Sequence, residues 1–459
     1  MSNGTTYRRG SVFGALLLIA IGLLFLYANI TPDFSPWALL AKYWPVLIIF
    51  WGLSRLADYF MLRGTDQAAS VTRISAGDII GLLFIFIFGM LFTQFTSVLN
   101  DPDKRRRIFG TEVGCVFGKQ YDFTDEVKLP VTPGATLHLD NLRGDIQASL
   151  APANNLMVTG KKTVCAESEE EARTLSEDFK LAAEGPPDAP RVRWGTEGSR
   201  GGFVSADVQA QVPRRVNLTV ATERGDIVLR GLEGNLDVKA RRGDATVEDI
   251  KGDVVLDVRR ADVVVSNITG SVRVESSGGE VEIRNVTGGA ALLGEWGGPI
   301  RLAAIQGPVR FESRRTKFTA AKIEGELSTG GGFNLRGVPG DVFLETKDYE
   351  VDLEEVTGEI KIENRNGPVR VRLPRSPRYP ISIETRNGDI ELEMPAASDF
   401  LISASARDGE IQSDFEGPEL KVEEQGHNDA VLKGTVGRGG TAIALSTTHG
   451  VIRLRRGAR

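Results

Sequence analysis

Gly225-Asp226-Ile227, Gly234-Asn235-Leu236, Gly243-Asp244-Ala245, Gly252-Asp253-Val254, Ala261-Asp262-Val263, Gly270-Ser271-Val272 and Gly279-Glu280-Val281 follow one another at steps of nine residues. After each turn, apolar residues alternate with polar ones. Ile227 and Leu229 point one way, as do Leu236 and Val238, Val254 and Leu256, and Val263 and Val265. Alternation over so few residues marks a short strand with one face buried and one solvated. The structural unit is twice nine. Before every second turn stands an apolar residue, in the series Leu232, Ile250, Ile268, Val286, Ile305, Ile323, Val338 and Val356, spaced by 18 with one step of 19 and one of 15. The other turns read Arg224-Gly225, Arg242-Gly243 and Arg260-Ala261. One coil therefore holds two strands and two unlike corners, one tucked inward and one facing water. A propeller blade would need about 40 residues. The period predicts an all-β chain, a parallel two-sided β-solenoid of 18-residue coils stacked about 4.8 Å apart. Eight such coils between residues 225 and 371 give a rod of roughly 40 Å.

Outward from this stretch the pattern loosens. The register weakens near Gly330 and returns at Gly340-Asp341-Val342; a bulge, a bend or an insertion each fit. Residues 225–373 are the regular solenoid, and 121–224 are its lead-in. Within the lead-in, 137–146 is an early strand–turn–strand copy, and 168–184 reads as a helix that could shield an end. Ser168 and Glu171 form a capping box, and Ala172, Leu175 and Phe179 share one face. Residues 374–459 carry longer-spaced coils, with turns at Gly388 and Gly409, and 417–459 as a terminal cap whose last copy is Gly450-Val451-Ile452.

The first hundred residues are of another kind. They hold 6 Lys/Arg, 4 Asp/Glu and 17 of the 33 aromatics. Uncharged stretches run over 11–28 and 79–99, and 37–53 contains only Lys42. A bilayer core needs roughly 20 apolar residues in a helix. The prediction is an α-helical transmembrane region, 1–100, with helices at about 11–30, 37–54 and 78–99, then a basic linker over 101–120. Three crossings beginning from Arg8 and Arg9 inside place the solenoid outside the cytoplasmic (inner) membrane of a bacterium. Lys104-Arg105-Arg106-Arg107 on the far side opposes that orientation under the positive-inside rule.

Composition also excludes. The remaining 359 residues carry 49 basic and 57 acidic side chains, an acidic balance that argues against a nucleic-acid partner. Two cysteines exclude a disulfide scaffold, and whether Cys115 and Cys165 pair is open. His138, His427 and His449 lack metal-ligand spacing. Glycine occurs once per nine residues, too sparsely for calcium-binding nonapeptides. No catalytic residue, cofactor site or metal site is predicted.

The repeated units Arg143-Gly144-Asp145-Ile146, Arg224-Gly225-Asp226-Ile227 and Asn387-Gly388-Asp389-Ile390 resemble the bacterial putative-adhesin family of β-strand-repeat proteins over about 120–455. The stretches from Arg9-Gly10-Ser11 to Asn29-Ile30 and Tyr43-Trp44-Pro45-Val46-Leu47 are similar to the transmembrane region of Lia-type cell-envelope stress proteins. Neither resemblance implies a catalytic motif.

Arg-Gly-Asp at 143–145, 224–226 and 242–244 reads as the corner of a coil. Stacking would align Asp226, Asp244, Asp262 and Glu280 into a ladder, with Arg224, Arg242 and Arg260 beside it. That ladder is the one candidate ligand-facing feature; a solvated edge is the plainer reading. The functional expectation is a membrane-anchored, non-catalytic binding, adhesive or structural module of the cell envelope. Its partners would be the lipid bilayer, an envelope polymer, a membrane protein, or further copies of itself. The alternative is an envelope-stress regulator acting through its helices.

Overall fold

An 18-residue repeat with strands at fixed places can stack only if equivalent residues pair from coil to coil. In the computed structural model they do. Ile227, Ala245, Val263 and Val281 are successive parallel partners on one side, and Leu236, Val254, Val272 and Ala290 on the other. The structure describes residues 119–152, 155–194, 204–417, 420–425 and 428–457, all within one unit, Phe117–Arg459. The apolar stretches 11–30, 37–54 and 78–99, residues 101–118 of the basic linker, Cys115 and His427 lie outside the described residues. Among the described residues, no helix is long and apolar enough to cross a membrane.

The described chain is all-β apart from one helix. Its 33 strands form two long sheets, of sixteen and seventeen strands. The second sheet runs by its pairings from Leu181–Glu184 at one end to Lys421–Gln425 at the other. No pairing joins those two end strands, so the sheet is an open ladder. Between the sheets lies a single aliphatic core. Ile227, Leu229, Val247, Val265, Ile283, Val238, Leu256 and Val274 are all fully buried. Each such side chain contributes about 1.5–3 kcal/mol when removed from water.

The inward corners are built by a device that periodicity does not show. Immediately before seven of the eight anchors, all but Ile323, the backbone turns left-handed, at Gly231, Asp249, Asn267, Asn285, Ala304, Gly337 and Glu355, with φ between 52° and 68°. That single turn drives Leu232, Ile250, Ile268, Val286, Ile305, Val338 and Val356 into the core. Asn and Asp tolerate this conformation because their short polar side chains bond locally. Here they also bond across coils: Asn267 donates to Asp249, and Asn285 to Asn267, each at 2.9 Å.

Parallel stacking in chain order does not hold throughout, and three places depart from it. The first is the loss of register near Gly330. Thr316–Ala320 and Ile323–Ser328 run antiparallel to the coils on both sides. The chain reverses at a hairpin over 313–315, lays down one coil backwards, and reverses again at the glycines 330–332. The irregularity is thus an inserted reversed coil. Phe318, Ile323 and Leu327 fill its interior, all fully buried, because alternation buries one face whichever way a strand runs.

The second place is the lead-in. Lys119–Pro130, Asn155–Ala166 and Val204–Val212 lie side by side as three antiparallel strands, although other elements intervene between them in sequence. The helix expected over 168–184 occupies Glu169–Asp178. The Ser168 hydroxyl accepts from the Glu171 N–H at 3.2 Å. Phe179 leaves the helix to stack on Trp194, centroids 6.1 Å apart, and Leu181–Glu184 then pairs with Arg191–Trp194 as a hairpin.

The third place is the C-terminal end. Ile452 pairs with Ile390 on one side and with Ile411 on the other. Ile443 lies likewise between Ile381 and Ile402. The last coil in sequence is inserted between earlier segments and is not a terminal cap. The terminal edges there are Ile411–Ser413 and Lys421–Gln425.

Candidate functional site

The water-facing corner owes its composition to the closeness of its neighbours. A Cβ on Gly243 would stand 2.2 Å from the carbonyl oxygen of Gly225, and one on Gly225 would stand 2.1 Å from that of Gly144. At these two corners glycine, with no Cβ, is what lets the chain stack at sheet spacing. The residue after each glycine is then held directly above its equivalent. The N–H of Asp226 donates to Asp145 Oδ1, that of Asp244 to Asp226, and that of Asp262 to Asp244, each at 2.9 Å; the Glu280 N–H donates to Asp262 at 2.7 Å.

The four acids of the sequence-derived ladder are therefore brought together, with Asp145 below them. Asp226, Asp244 and Asp262 are exposed and Glu280 is half-buried. Backbone N–H groups, one from each residue above, offset the repulsion between the carboxylates. Charge-assisted bonds of this kind are stronger than neutral ones. Each aspartate uses one oxygen, Oδ1, for this bond. At the top, Glu280 receives Arg301 at 2.9 Å.

The arginines flank the same corners. Arg224 is half-buried; Arg242 and Arg260 are exposed. Burial, with the like charge of Arg224 beside it, lowers the pKa of the Arg143 guanidinium. At Arg260 the backbone itself turns left-handed, φ 54°, where Ala261 stands in place of the corner glycine.

The opposite corner has a ladder of its own. The N–H groups of Asn235, Asp253 and Ser271 donate in turn to Asn217, Asn235 and Asp253, at 2.8–2.9 Å. Asp389 repeats the arrangement near the C-terminal end, accepting from the Val451 N–H at 2.9 Å and from Arg453 at 2.7 Å. Burial works to raise the pKa of that carboxyl, but the two donors outweigh it and hold it below the usual carboxylate range.

A second ordered surface appears only in three dimensions. On the outer face of the sixteen-stranded sheet, four adjacent strands carry Asp352 and Glu354, then Arg370 and Arg372, then Glu391 and Glu393, then Arg453 and Arg455. Acidic and basic rows alternate. Arg372 reaches Asp352 at 3.2 Å, Glu393 at 3.9 Å, and Glu354. The runs Val-Asp-Leu-Glu, Val-Arg-Val-Arg, Ile-Glu-Leu-Glu and Ile-Arg-Leu-Arg are visible in sequence. Their adjacency is not, because the last lies 62 residues beyond the third.

An open groove of about 760 Å³ at the C-terminal end is lined by Asp408, Glu410, Asn428 and Asp429. His449 lies 3.7 Å from Asp408, and His138 stands on Thr136–Asn141 at the other end. Among the described residues, no group of three or more His, Cys, Asp or Glu could hold a metal ion. Cys165 is disulfide-bonded.

Residues 203–455 match the family described as Toastrack DUF4097. Residues 12–56 match the LiaI-LiaF-like transmembrane region. Together the two matches describe a membrane-anchored envelope protein. No curated protein matches the sequence. One solved structure that is matched is described as a "putative cell adhesion protein" from Clostridium sporogenes. It is 10% identical, with 73% of this chain and 100% of that chain covered, at a TM-score of 0.14. At that score the likeness carries no argument about this chain.

Proposed function

Because the chain belongs to the Toastrack DUF4097 family, we propose that it is a non-catalytic binding and structural module, held at the outer face of the bacterial cytoplasmic membrane by several helices. The observation that carries this reading is the joining, in one chain, of a LiaI-LiaF-like transmembrane region to a stacked β-repeat. The family is not a known enzyme family. A rod whose corners and faces present charge at fixed intervals suits an extended or repetitive ligand. The ladder of Asp226, Asp244, Asp262 and Glu280, flanked by Arg224, Arg242 and Arg260, is the surface for an envelope polymer or a membrane protein. The disulfide at Cys165 supports the outer side, since disulfides persist in oxidising compartments.

The test is topology. A phosphatase fused after residue 457 should be active only if exported, and protease added to spheroplasts should remove the β-repeat. A protected repeat with an inactive fusion would overturn the reading. The transmembrane match also favours a second reading, signalling to a membrane partner through the helices. Replacing residues 1–100 by an unrelated anchor should then abolish any envelope-stress response; full retention would remove that reading.

A further inference from the structure

The two sheets have four terminal edges, and one is unlike the rest. Leu181–Glu184, Ile411–Ser413 and Lys421–Gln425 have 4, 3 and 5 residues. Short edges are the usual protection against unwanted pairing. The fourth edge, Lys119–Pro130, has 12 residues. Among the described residues it pairs on one side only, with Asn155–Ala166. A free edge of this length is a template for another strand.

Its sequence fits itself. Tyr121, Phe123, Asp125, Val127 and Leu129 form the half-buried face, while Gln120, Asp122, Thr124, Glu126 and Lys128 are exposed. In an antiparallel pair of identical strands centred on Asp125, Tyr121 faces Leu129 of the second copy and Phe123 faces Val127. On the other face Asp122 meets Lys128, twice by symmetry. Apolar and opposite-charge cross-strand pairs each stabilise by roughly 0.2–1 kcal/mol. A shift by one residue would put Asp122 against Val127 and Phe123 against Glu126, so one register stands out. The two Asp125 side chains meet on the axis, yet each already has the buried ammonium of Lys162 at 2.9 Å. The centre therefore holds two acids and two bases.

From this edge we infer that the protein forms a two-fold homodimer in which two Lys119–Pro130 strands pair antiparallel about Asp125, joining two sixteen-stranded sheets into one. Such an interface is isologous and closes on itself, so it leads to dimers and not to fibres.

The full chain in detergent tests this. Two differently tagged copies are co-expressed, Thr124→Cys in one and Glu126→Cys in the other. They should form a mixed disulfide more efficiently than Thr124→Cys with itself. Val255→Cys, exposed on the other sheet, should form none. Lys128→Glu should raise the dimer dissociation constant roughly tenfold, and mixing it with an Asp122→Lys copy should restore it. Asp122 also binds Lys161 and Thr163 within its own chain, so unfolding midpoints of the charge variants confirm that each is folded. A chain that stays monomeric at tens of micromolar, or cross-linking at 124/126 no stronger than at 255, overturns the inference.

Discussion

At the scale of single residues, glycine does two separable things. Gly243 has φ 118° and would place a Cβ 2.2 Å from a backbone oxygen of the coil below. Gly134 has φ 85° with open space around it. Alanine at 134 meets only backbone strain, about 1–2 kcal/mol. Alanine at 243 meets strain and collision, and neither backbone can retreat without breaking coil register. Denaturant unfolding should show Gly243→Ala losing about 2–4 kcal/mol, well beyond Gly134→Ala; equal losses would refute the stacking explanation. The corner carboxylates give a pH signature. Asp389 is depressed in the folded state, so its contribution is present above the unfolded pKa and lost as pH falls through the folded one. Asp389→Asn keeps an acceptor for the Val451 N–H and loses the charge facing Arg453. The stability gap between wild type and this variant should therefore close on acidification from about pH 5 towards about pH 2, as followed by thermal unfolding. The corner glycines are legible in the sequence, since their period is nine. The left-handed turn before seven of the anchors is not, because Asp249, Asn267, Ala304 and Glu355 share no side-chain type that announces it.

At the scale of elements, the lead-in is tied by one buried charge. Lys162 is 1% exposed; its ammonium reaches Asp125 and the Ser176 carbonyl, each at 2.9 Å. It also lies 5.7 Å from the Trp194 ring centroid. It joins strand, helix and hairpin. Lys162→Met would fill much of the space but leave that carbonyl without its donor and Asp125 with only the Leu181 N–H at 3.1 Å. Breaking a buried pair costs about 3–5 kcal/mol; Asp125 is partly open to water, so a loss of about 2–4 kcal/mol is expected. Hydrogen exchange should place the loss in 119–194 and leave 225–300 protected. Uniform deprotection would contradict the local role. Lys162 was hidden in sequence because a lysine in an alternating strand reads as outward-facing. The helix was legible from its cap and apolar spacing, but its end was not: stacking of Phe179 on Trp194, 15 residues away, terminates it.

At the scale of the molecule, the core is continuous while the chain is not laid down in order. Ile443, Leu445, Ile452 and Leu454 are buried one layer in from the C-terminal end of the stack, between segments that precede them by about 40–60 residues. Truncation after residue 440 should therefore remove an interleaved layer near the C-terminal end and leave Ile381–Asn387 and Phe400–Ala406 without the strand that stands between them. Such a chain should aggregate or melt far below the full chain in thermal scans; near-normal melting would contradict the interleaved order. What the sequence by itself determined is the coil: the 18-residue period, the two kinds of corner, the buried alternation and the ladder of acids. All of these follow from contacts between equivalent residues, which repetition exposes. Only the tertiary structure decided the reversed coil, the interleaved C-terminal end, the acid–base rows of the outer face and the single long edge. The inner faces of these coils are chemically alike, Val, Ile or Leu at alternate positions. Local pattern buries each strand equally well beside several others, and only closure of the whole core selects which neighbour it takes.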